Sequence, residues 1–401
     1  MQKNYNTIIV GGGASGLLSA IELVKGNNAF RGEEILILER NDRVGKKLIA
    51  TGNGQCNLMN EKFSEKYYYG DKAFIEQFVA LTKKIDLKKY LSDLGIFVCA
   101  GKDGKVYPLS KQASSVLDSI RAYLIHKNCT ILTGKKVSKI TKNDNEFEVS
   151  VGSDKYYAKN VILATGGSAG KQFGTDGSAY DLALSFGHKK TELYPSLVQL
   201  KTPTDKIKGL KGIKETARVT AFDKTKPLMS VEGDLLFTDF GVSGSTIFSL
   251  SASIAGKKDA YLIIEFLPNL TFTQTENIIA KRQQLPYVEK GDLLCGVLNK
   301  KLGQMLVKNA KSNDATDIAY AIKNFKLNVI GSLDFSYAQV TRGGIKTGQI
   351  DADTYQSKLV KDLYIVGEAL NVDGDCGGYN LTFAFISGIA SARHIKSKKQ
   401  G

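Results

Sequence analysis

Gly11, Gly13 and Gly16 stand in the stretch GGGASG with the spacing G-x-G-x-x-G. The first glycine permits a tight turn, the second lets a phosphate approach the backbone, and the third lets a helix lie close on a strand. YNTIIV, from Tyr5 to Val10, reads as a buried strand before the turn. LLSAIELVK carries helical apolar spacing after it, at Leu17, Leu18, Ile21 and Val24. Ala14 and Ser15 then open a helix whose free N–H groups and positive dipole end suit a phosphate. Within a strand–turn–helix frame the glycine spacing marks a dinucleotide site. Glu39 closes the next strand pattern, EILILER, with Arg40 directly after it. A carboxylate at that strand end can accept hydrogen bonds from a ribose 2′- and 3′-hydroxyl. It also repels a 2′-phosphate, which selects NAD or FAD over NADP. Its bland reading is a surface carboxylate.

Further candidates lie in ATGNGQCNLMN, from Ala50 to Asn60, which gathers two glycines, three asparagines and a thiol. It has no helix or strand period and reads as a surface loop. Two later strands end in marked residues: KNVILATGG in Ala164-Thr165-Gly166-Gly167, and DLYIVGEAL in Gly367-Glu368. Between Leu132 and Ala164 the runs KKVSKI, EFEVSV and KYYAKNVILA read as a three-stranded meander. The three histidines, His126, His188 and His394, form no recognisable dyad, and His394 falls in the C-terminal tail. No catalytic acid or base is assigned from sequence; the inserted domain and the loops at Asn57 and Arg342 are its expected sources.

The elements that position these residues suggest a doubly wound α/β chain with an insertion. Phe74 to Ile96 carries a helical stripe, and residues 112–126 read the same way. Strand-like runs SLVQLKT, ARVTAF, GDLLFT and AYLIIEFL follow Tyr194, then helical patterns near 272–284, 291–310 and 314–325. This divides the chain into a dinucleotide-binding part over 1–192, an inserted β-plus-helical domain over 193–335 and a completing part over 336–401. The cleft of the inserted domain against the rest is the expected substrate site.

The 401 residues, 42% hydrophobic and 24% charged, have ordinary globular composition. The longest apolar run, LTFAFISGIASA from Leu381, is too short to span a membrane. The start MQKNYNTIIVGGG passes straight into a strand-like run, so no leader is expected, and the five cysteines (Cys56, Cys99, Cys129, Cys295 and Cys376) make no close pair. Disulfide frameworks and zinc ribbons are therefore disfavoured, no metal site is expected, and a reducing cytoplasm is the expected compartment. The formal net charge of +15 comes from scattered lysines and reads as a solvated surface rather than a nucleic-acid face.

The A-T-G strand end, the late G-E strand end and the meander resemble the Rossmann-like FAD-binding domain of two-dinucleotide-binding-domain flavoproteins. More specifically, the chain resembles the bacterial BaiN/YhiN-like flavoproteins, which include aminoacetone-oxidase and 3-dehydro-bile-acid-reductase-like members. The matching stretches are VGKKLIATGNGQCNLMN, GTDGSAYDLALSFGH, YPSLVQL, GDLLFTDFGVSG, AQVTRGGI and VGEALNVDGDCGGYNLTFAFISG. They span nearly the whole chain.

The resemblance implies non-covalent FAD. Gly52 and Gly54 would let backbone approach the flavin, Lys46 or Lys47 would meet phosphate, and Asn53 and Asn57 would bond the ring edge. Gln55 stands where the family commonly has arginine. Cys56 reads as a packed, inert thiol beside the cofactor. Val137 would offer backbone to adenine, and Ala164, Thr165, Gly166, Gly367 and Glu368 would line the ribityl and pyrophosphate. Gly378, Asn380 and Leu381 would open a helix pointing at the flavin N1–C2=O locus, where reduced flavin is anionic.

The implied activity is an FAD-dependent oxidoreductase that moves a hydride or electrons between NAD(P)H or a small organic substrate and an acceptor. No second glycine turn has its own strand and helix, since RGGIKTG is too short. NAD(P)H would therefore dock transiently. A competing reading, in which nucleic acid is the partner, is an FAD-containing RNA-binding or tRNA-modifying protein, which would need a coherent basic face.

Overall fold

The computed structural model describes residues 3–400 except 27 and 102. The chain divides into two compact units, one formed by 1–193 with 340–401 and the other by Tyr194–Gln339. The first unit opens with β1 (Lys3–Val10), α1 (Ala14–Val24) and β2 (Ile35–Leu38). Every β2 side chain is buried, as an apolar run covered on both faces requires. A short helix, α2 (Lys46–Ala50), and the strand β3 (Tyr68–Gly70) follow. Next come β4 (Thr130–Leu132), β5 (Lys139–Asn143), β6 (Glu146–Val151) and β7 (Asp154–Leu163). The unit ends with β8 (Leu363–Ile365), β9 (Val372–Gly374) and the long α3 (Tyr379–Ser397).

The main sheet runs β4-β2-β1-β7-β6-β5, with β8 also paired to β7. β4, β2, β1, β7 and β8 are parallel. β7 is shared: its first half closes the antiparallel meander with β6, and its second half lies between β1 and β8. Alternation in β6 follows directly, with Phe147, Val149 and Val151 buried and the intervening residues half-exposed. α1 and α3 pack backbone to backbone. A Cβ on Gly388 would lie 2.4 Å from the Ser15 carbonyl, and Ser19 Oγ donates to the Gly388 carbonyl at 3.1 Å. Buried Glu22 of α1 accepts from Lys396 Nζ of α3 at 2.7 Å. His394 therefore sits in α3 rather than in a tail, its Nδ1 3.1 Å from the Tyr364 hydroxyl.

Two expected elements differ. The stripe from Phe74 to Ile96 is two helices, Lys72–Lys84 and Leu87–Ser92. Asp86 breaks it by capping the second helix through its carboxylate on the Lys89 N–H, at 2.9 Å. ATGNGQCNLMN is not an irregular surface loop throughout. It follows α2 as a 3₁₀ turn, Thr51–Gly54, and then dives inward, so that Cys56, Asn57, Leu58 and Met59 are all buried.

The second unit is built on a seven-stranded antiparallel sheet around the long hairpin Lys214–Asp223 and Lys226–Phe237. SLVQLKT is not one strand: Ser196 ends the short strand Tyr194–Ser196, and Leu200–Lys201 form another. The pattern over 291–310 narrows to Lys300–Asn309, because 290–292 form a 3₁₀ turn. The helix Ser245–Ile254 was not expected; its four serines and one threonine disguise an apolar stripe through Ile247, Leu250 and Ile254.

Candidate functional site

The parallel strands end level with one another. Val10 stands beside Leu38 and Leu163, and Leu163 beside Ile365. Gly11, Glu39, Ala164 and Val366-Gly367 therefore leave the sheet along one carboxyl edge, where open α/β sheets bind ligands. The glycines there divide by their surroundings. Gly11 has φ +108°, and a Cβ on it would lie 2.4 Å from the Ala164 carbonyl oxygen. A Cβ on Gly16 would lie 2.1 Å from the Gly11 oxygen. Gly13 has nothing within 4 Å of that position, so the middle glycine of the motif faces free space. α1 starts from Gly13 with no side-chain cap and no acid in its first turn. Its first N–H groups are thus left for water or a ligand. Gly367 closes on the same helix, since a Cβ there would meet Ser15 Oγ at 2.7 Å. These features fit an FAD pyrophosphate: a tight turn, an open approach and an uncapped helix start.

Glu39 is buried and bonded within the protein. Its Oε2 accepts from the Gly12 N–H at 2.8 Å, and its Oε1 accepts from the Asn41 N–H and Asn41 Nδ2, each at 2.8 Å. Three of about four acceptor positions are taken. The same stretch holds the segment carrying Val137, because Lys135 N–H donates to the Glu39 carbonyl at 2.8 Å and Gly134 N–H to the Asn41 carbonyl at 2.7 Å. Val137 itself is buried. Arg40 forks onto Asp176 at 2.7 and 3.0 Å. That bond raises the guanidinium further and holds the Asp176 carboxyl well below the usual carboxylate range.

Lys47 Nζ donates to Glu368 Oε2 at 2.6 Å and to the Ala169 carbonyl at 3.0 Å. Glu368 Oε1 accepts from the Thr341 N–H at 2.9 Å. Thr341 Oγ1 in turn accepts from the Ser168 and Ala169 N–H groups at 2.7 and 2.8 Å. Thr165 and Gly166, half-exposed, enter this loop. One lysine thus ties the strand end at Gly367-Glu368 to the loop leaving Ala164. Lys46 instead pairs with Asp42 at 2.6 Å.

The stretch 50–60 meets α3 at its start. Gly52, Asn53, Gly54 and Gln55 are exposed, and Gly52, Asn53 and Gly54 all have positive φ. With its amide oriented to satisfy both neighbours, Asn57 accepts from the Gly378 N–H at 3.2 Å and donates to the Met59 carbonyl at 3.0 Å. Asn60 Nδ2 donates to the Gly377 carbonyl at 3.0 Å. Gly378, with φ +98°, caps α3 and packs on the Met59 peptide, 2.5 Å from a would-be Cβ. Asn380 folds back on Gly374, exchanging bonds of 2.8 and 2.7 Å with its N–H and carbonyl, and Leu381 is half-buried. Cys56 is fully buried, and burial pushes its thiol up to about 11. So the asparagines at 57 and 380 spend their amides on the loop and helix start, while Gly52–Gln55 present theirs outward.

A cluster absent from the sequence reading lies in the loop before α3. Tyr69 of β3 stands opposite Asp373 of β9, and its hydroxyl donates to Asp375 Oδ1 at 2.9 Å. The Arg342 guanidinium lies 4.1 Å from the Tyr69 ring centroid, with its Nε 3.9 Å from Asp373 Oδ1. Asp373 and Asp375 are both buried. Burial raises the Asp375 carboxyl to about 6, against the lowering effects of Tyr69 and Arg342. Tyr69 and Asp375 are 306 residues apart, so no local spacing signals the pair. The histidines serve elsewhere, His188 Nε2 lying 2.9 Å from Ser357 Oγ.

A parallel sheet whose strand ends carry a glycine turn, an acid, A-T-G and G-E is the fold of dinucleotide-binding flavoproteins. A family model described as "HI0933-like protein Rossmann domain" matches residues 5–394, and the chain belongs to that family. It is 33% identical over 402 residues to the 3-dehydro-bile acid delta(4,6)-reductase of Clostridium scindens, covering 96% of this chain and 97% of that protein. It is 26% identical over 412 residues to the ribosomal RNA dihydrouridine synthase of Haemophilus influenzae, covering 98% and 99%. A solved 3-ketosteroid delta1-dehydrogenase from Sterolibacterium denitrificans superposes with a TM-score of 0.52 at 11% identity, over 99% of this chain and 100% of that one, which establishes the shared fold. The chain is an FAD-dependent oxidoreductase of the BaiN/YhiN-like group. No helix among the described residues is long and apolar enough to cross a membrane.

Proposed function

We propose that the protein reduces a carbon–carbon double bond conjugated to a carbonyl, with electrons that NAD(P)H delivers in a transient encounter. One observation carries the reading. The chain aligns from end to end with two relatives whose names describe the same change. A delta(4,6)-reductase of a 3-dehydro compound adds hydrogen across double bonds in line with a ketone. Dihydrouridine is uridine with two hydrogens added across a ring bond conjugated to a carbonyl. Non-covalently held FAD, when bound, supplies two-electron hydride chemistry.

The protein's own residues divide the remaining work. Gly13 and the start of α1 hold pyrophosphate, with Gly11 and Gly16 fixing the turn. Glu39 holds the loop at Gly12 and keeps one acceptor position for a ribose hydroxyl. Lys47 and Glu368 brace the loops around the ribityl chain and phosphates. Asn57 aims the Gly378 N–H and fixes the start of α3, whose positive end stabilises negative charge developing near it. Exposed Gly52–Gln55 supply backbone and amide groups along the ring.

A second reading keeps the chemistry and places the double bond in a uracil of RNA. The similarity to a relative named ribosomal RNA dihydrouridine synthase favours it, and the formal net charge of +15 is compatible with it. Anaerobic reduction of the flavin by NADH and by NADPH, followed by a panel of steroid enones and uridine-containing RNA, separates the readings. Retention on RNA that falls steeply along a salt series supports the second. If no conjugated double bond reoxidises the flavin, the proposal fails.

A further inference from the structure

We propose that Tyr69, held between Asp375 and Arg342, delivers the second hydrogen of the reduction as a proton; this rests on the reading of the reaction above. Adding two hydrogens across a conjugated double bond needs a hydride at the carbon remote from the carbonyl and a proton at the carbon beside it. The hydride would be the bound cofactor's contribution. The proton needs an acid in the protein, and none of the three histidines lies in the cluster before α3.

Tyr69 is half-exposed, whereas Asp375, which its hydroxyl bonds, is buried, so Tyr69 is the more accessible residue of the pair. The pair stands in the loop that leads into α3, and Arg342 directly follows Thr341, which bonds Glu368 and the Ala169 loop. It therefore adjoins both groups of residues assigned to the cofactor. The groups facing Asp375 are Tyr69, Arg342 and Asp373, with Tyr379 of α3 and its neighbour Cys376, and with Lys105 and Asp103 beyond Cys376.

When Asp375 is ionised, the Tyr69 hydroxyl proton is committed to it. When Asp375 is protonated, its own O–H can donate to the phenol oxygen, and the phenol proton is released toward the substrate. In that step the Tyr69 O–H bond breaks and a C–H bond forms at the carbon beside the carbonyl. The enolate's electron pair makes the new bond, and the carbonyl is restored. The Tyr69 oxygen recovers a proton from the Asp375 carboxyl, and solvent refills Asp375. The Arg342 guanidinium over the ring face stabilises the transient phenolate. Asp375 is thus a positioning and resupplying residue that acts through Tyr69. The proton step should slow as pH rises through about 6, where Asp375 loses its proton.

Anaerobic stopped-flow mixing of prereduced holoenzyme with 2-cyclohexen-1-one and with ferricyanide tests this. Tyr69→Phe should slow oxidation by the enone by about a hundredfold, the usual scale for a lost general acid. It should leave oxidation by ferricyanide, which takes no proton from the protein, unchanged. Asp375→Asn should flatten the pH profile. An enone rate in Tyr69→Phe equal to wild type overturns the proposal. If wild type reduces no enone at all, the reading of the reaction has failed and proton delivery by Tyr69 falls with it; infrared difference titration tests the Asp375 proton store separately. A protonated-carboxyl band that titrates near pH 6 and is lost in Asp375→Asn supports the proton store. Absence of that band in wild type overturns it.

Discussion

Replacing Glu39 with alanine should damage the protein before any cofactor is added. The carboxylate accepts three N–H bonds at 2.8 Å, from the Gly12 backbone, the Asn41 backbone and the Asn41 amide. Asn41 is half-buried, and its amide already has a second acceptor in the Phe173 carbonyl at 3.1 Å, so its donors can turn elsewhere. Gly12 is buried and has no such recourse. An orphaned buried N–H costs about 1–3 kcal/mol. The apo protein should therefore lose about that much in urea unfolding. FAD affinity, followed by quenching of flavin fluorescence, should fall by about tenfold or more, because the turn that meets the pyrophosphate is no longer preorganised and 1.4 kcal/mol is a factor of ten. Glu39→Gln keeps one acceptor oxygen and should lie between. An apo protein as stable as wild type with weakened FAD would make the carboxylate a ligand contact alone. No change in either would return it to an ordinary surface acid and refute the reasoning.

Four further expectations concern the glycine turn, Asn57, the Cys56 thiol and Asp375. Gly11→Ala should abolish FAD retention and lower stability, since its Cβ would meet the Ala164 oxygen at 2.4 Å, whereas Gly13→Ala should leave apo unfolding unchanged and weaken only FAD; equal apo losses in both would contradict the division. Asn57→Ala should cost about 1–3 kcal/mol of stability by freeing the buried bonds to Gly378 and Met59 and should also slow flavin reduction, while Cys56→Ala should be mild. The Cys56 thiol, pushed up to about 11, should resist alkylation near neutral pH in the folded protein. Because the folded Asp375 carboxyl is raised to about 6, its stabilising contribution is complete below the ordinary carboxylate range and is lost as pH rises through about 6. Asp375→Asn should therefore gain stability relative to wild type between about pH 4 and about pH 7 in unfolding measurements, and a constant difference would count against the buried acid.

Much of the fold and part of the site were legible because their signals are local. The turn GGGASG, the strands ending at Leu38, Leu163 and Ile365, and the helix after Gly378 each declare themselves within about a dozen residues. The register that brings those ends level follows from parallel pairing of runs buried on both faces. What was not legible depends on partners distant in sequence or on competing local bonds. Asn57 has a side chain that could serve a ring edge or a backbone N–H equally well, and only the approach of Met59 to Gly378 decides its bonds, while the Asn380 amide is taken by Gly374 in the preceding loop. The opening stretch hid its buried half because Cys56-Asn57-Leu58-Met59 has no period. Tyr69 and Asp375 meet only because β3 pairs with β9, a contact no sequence window contains.

The central claim is that bound FAD passes two electrons to a conjugated carbon–carbon double bond. The most direct measurement prereduces the holoenzyme without oxygen, adds a steroid 4-en-3-one, and follows the flavin spectrum while mass spectrometry reads the product. The claim predicts that the oxidised flavin spectrum returns in step with a product carrying two more hydrogens. A flavin that stays reduced until oxygen is admitted, for both the steroid and uridine-containing RNA, would contradict it.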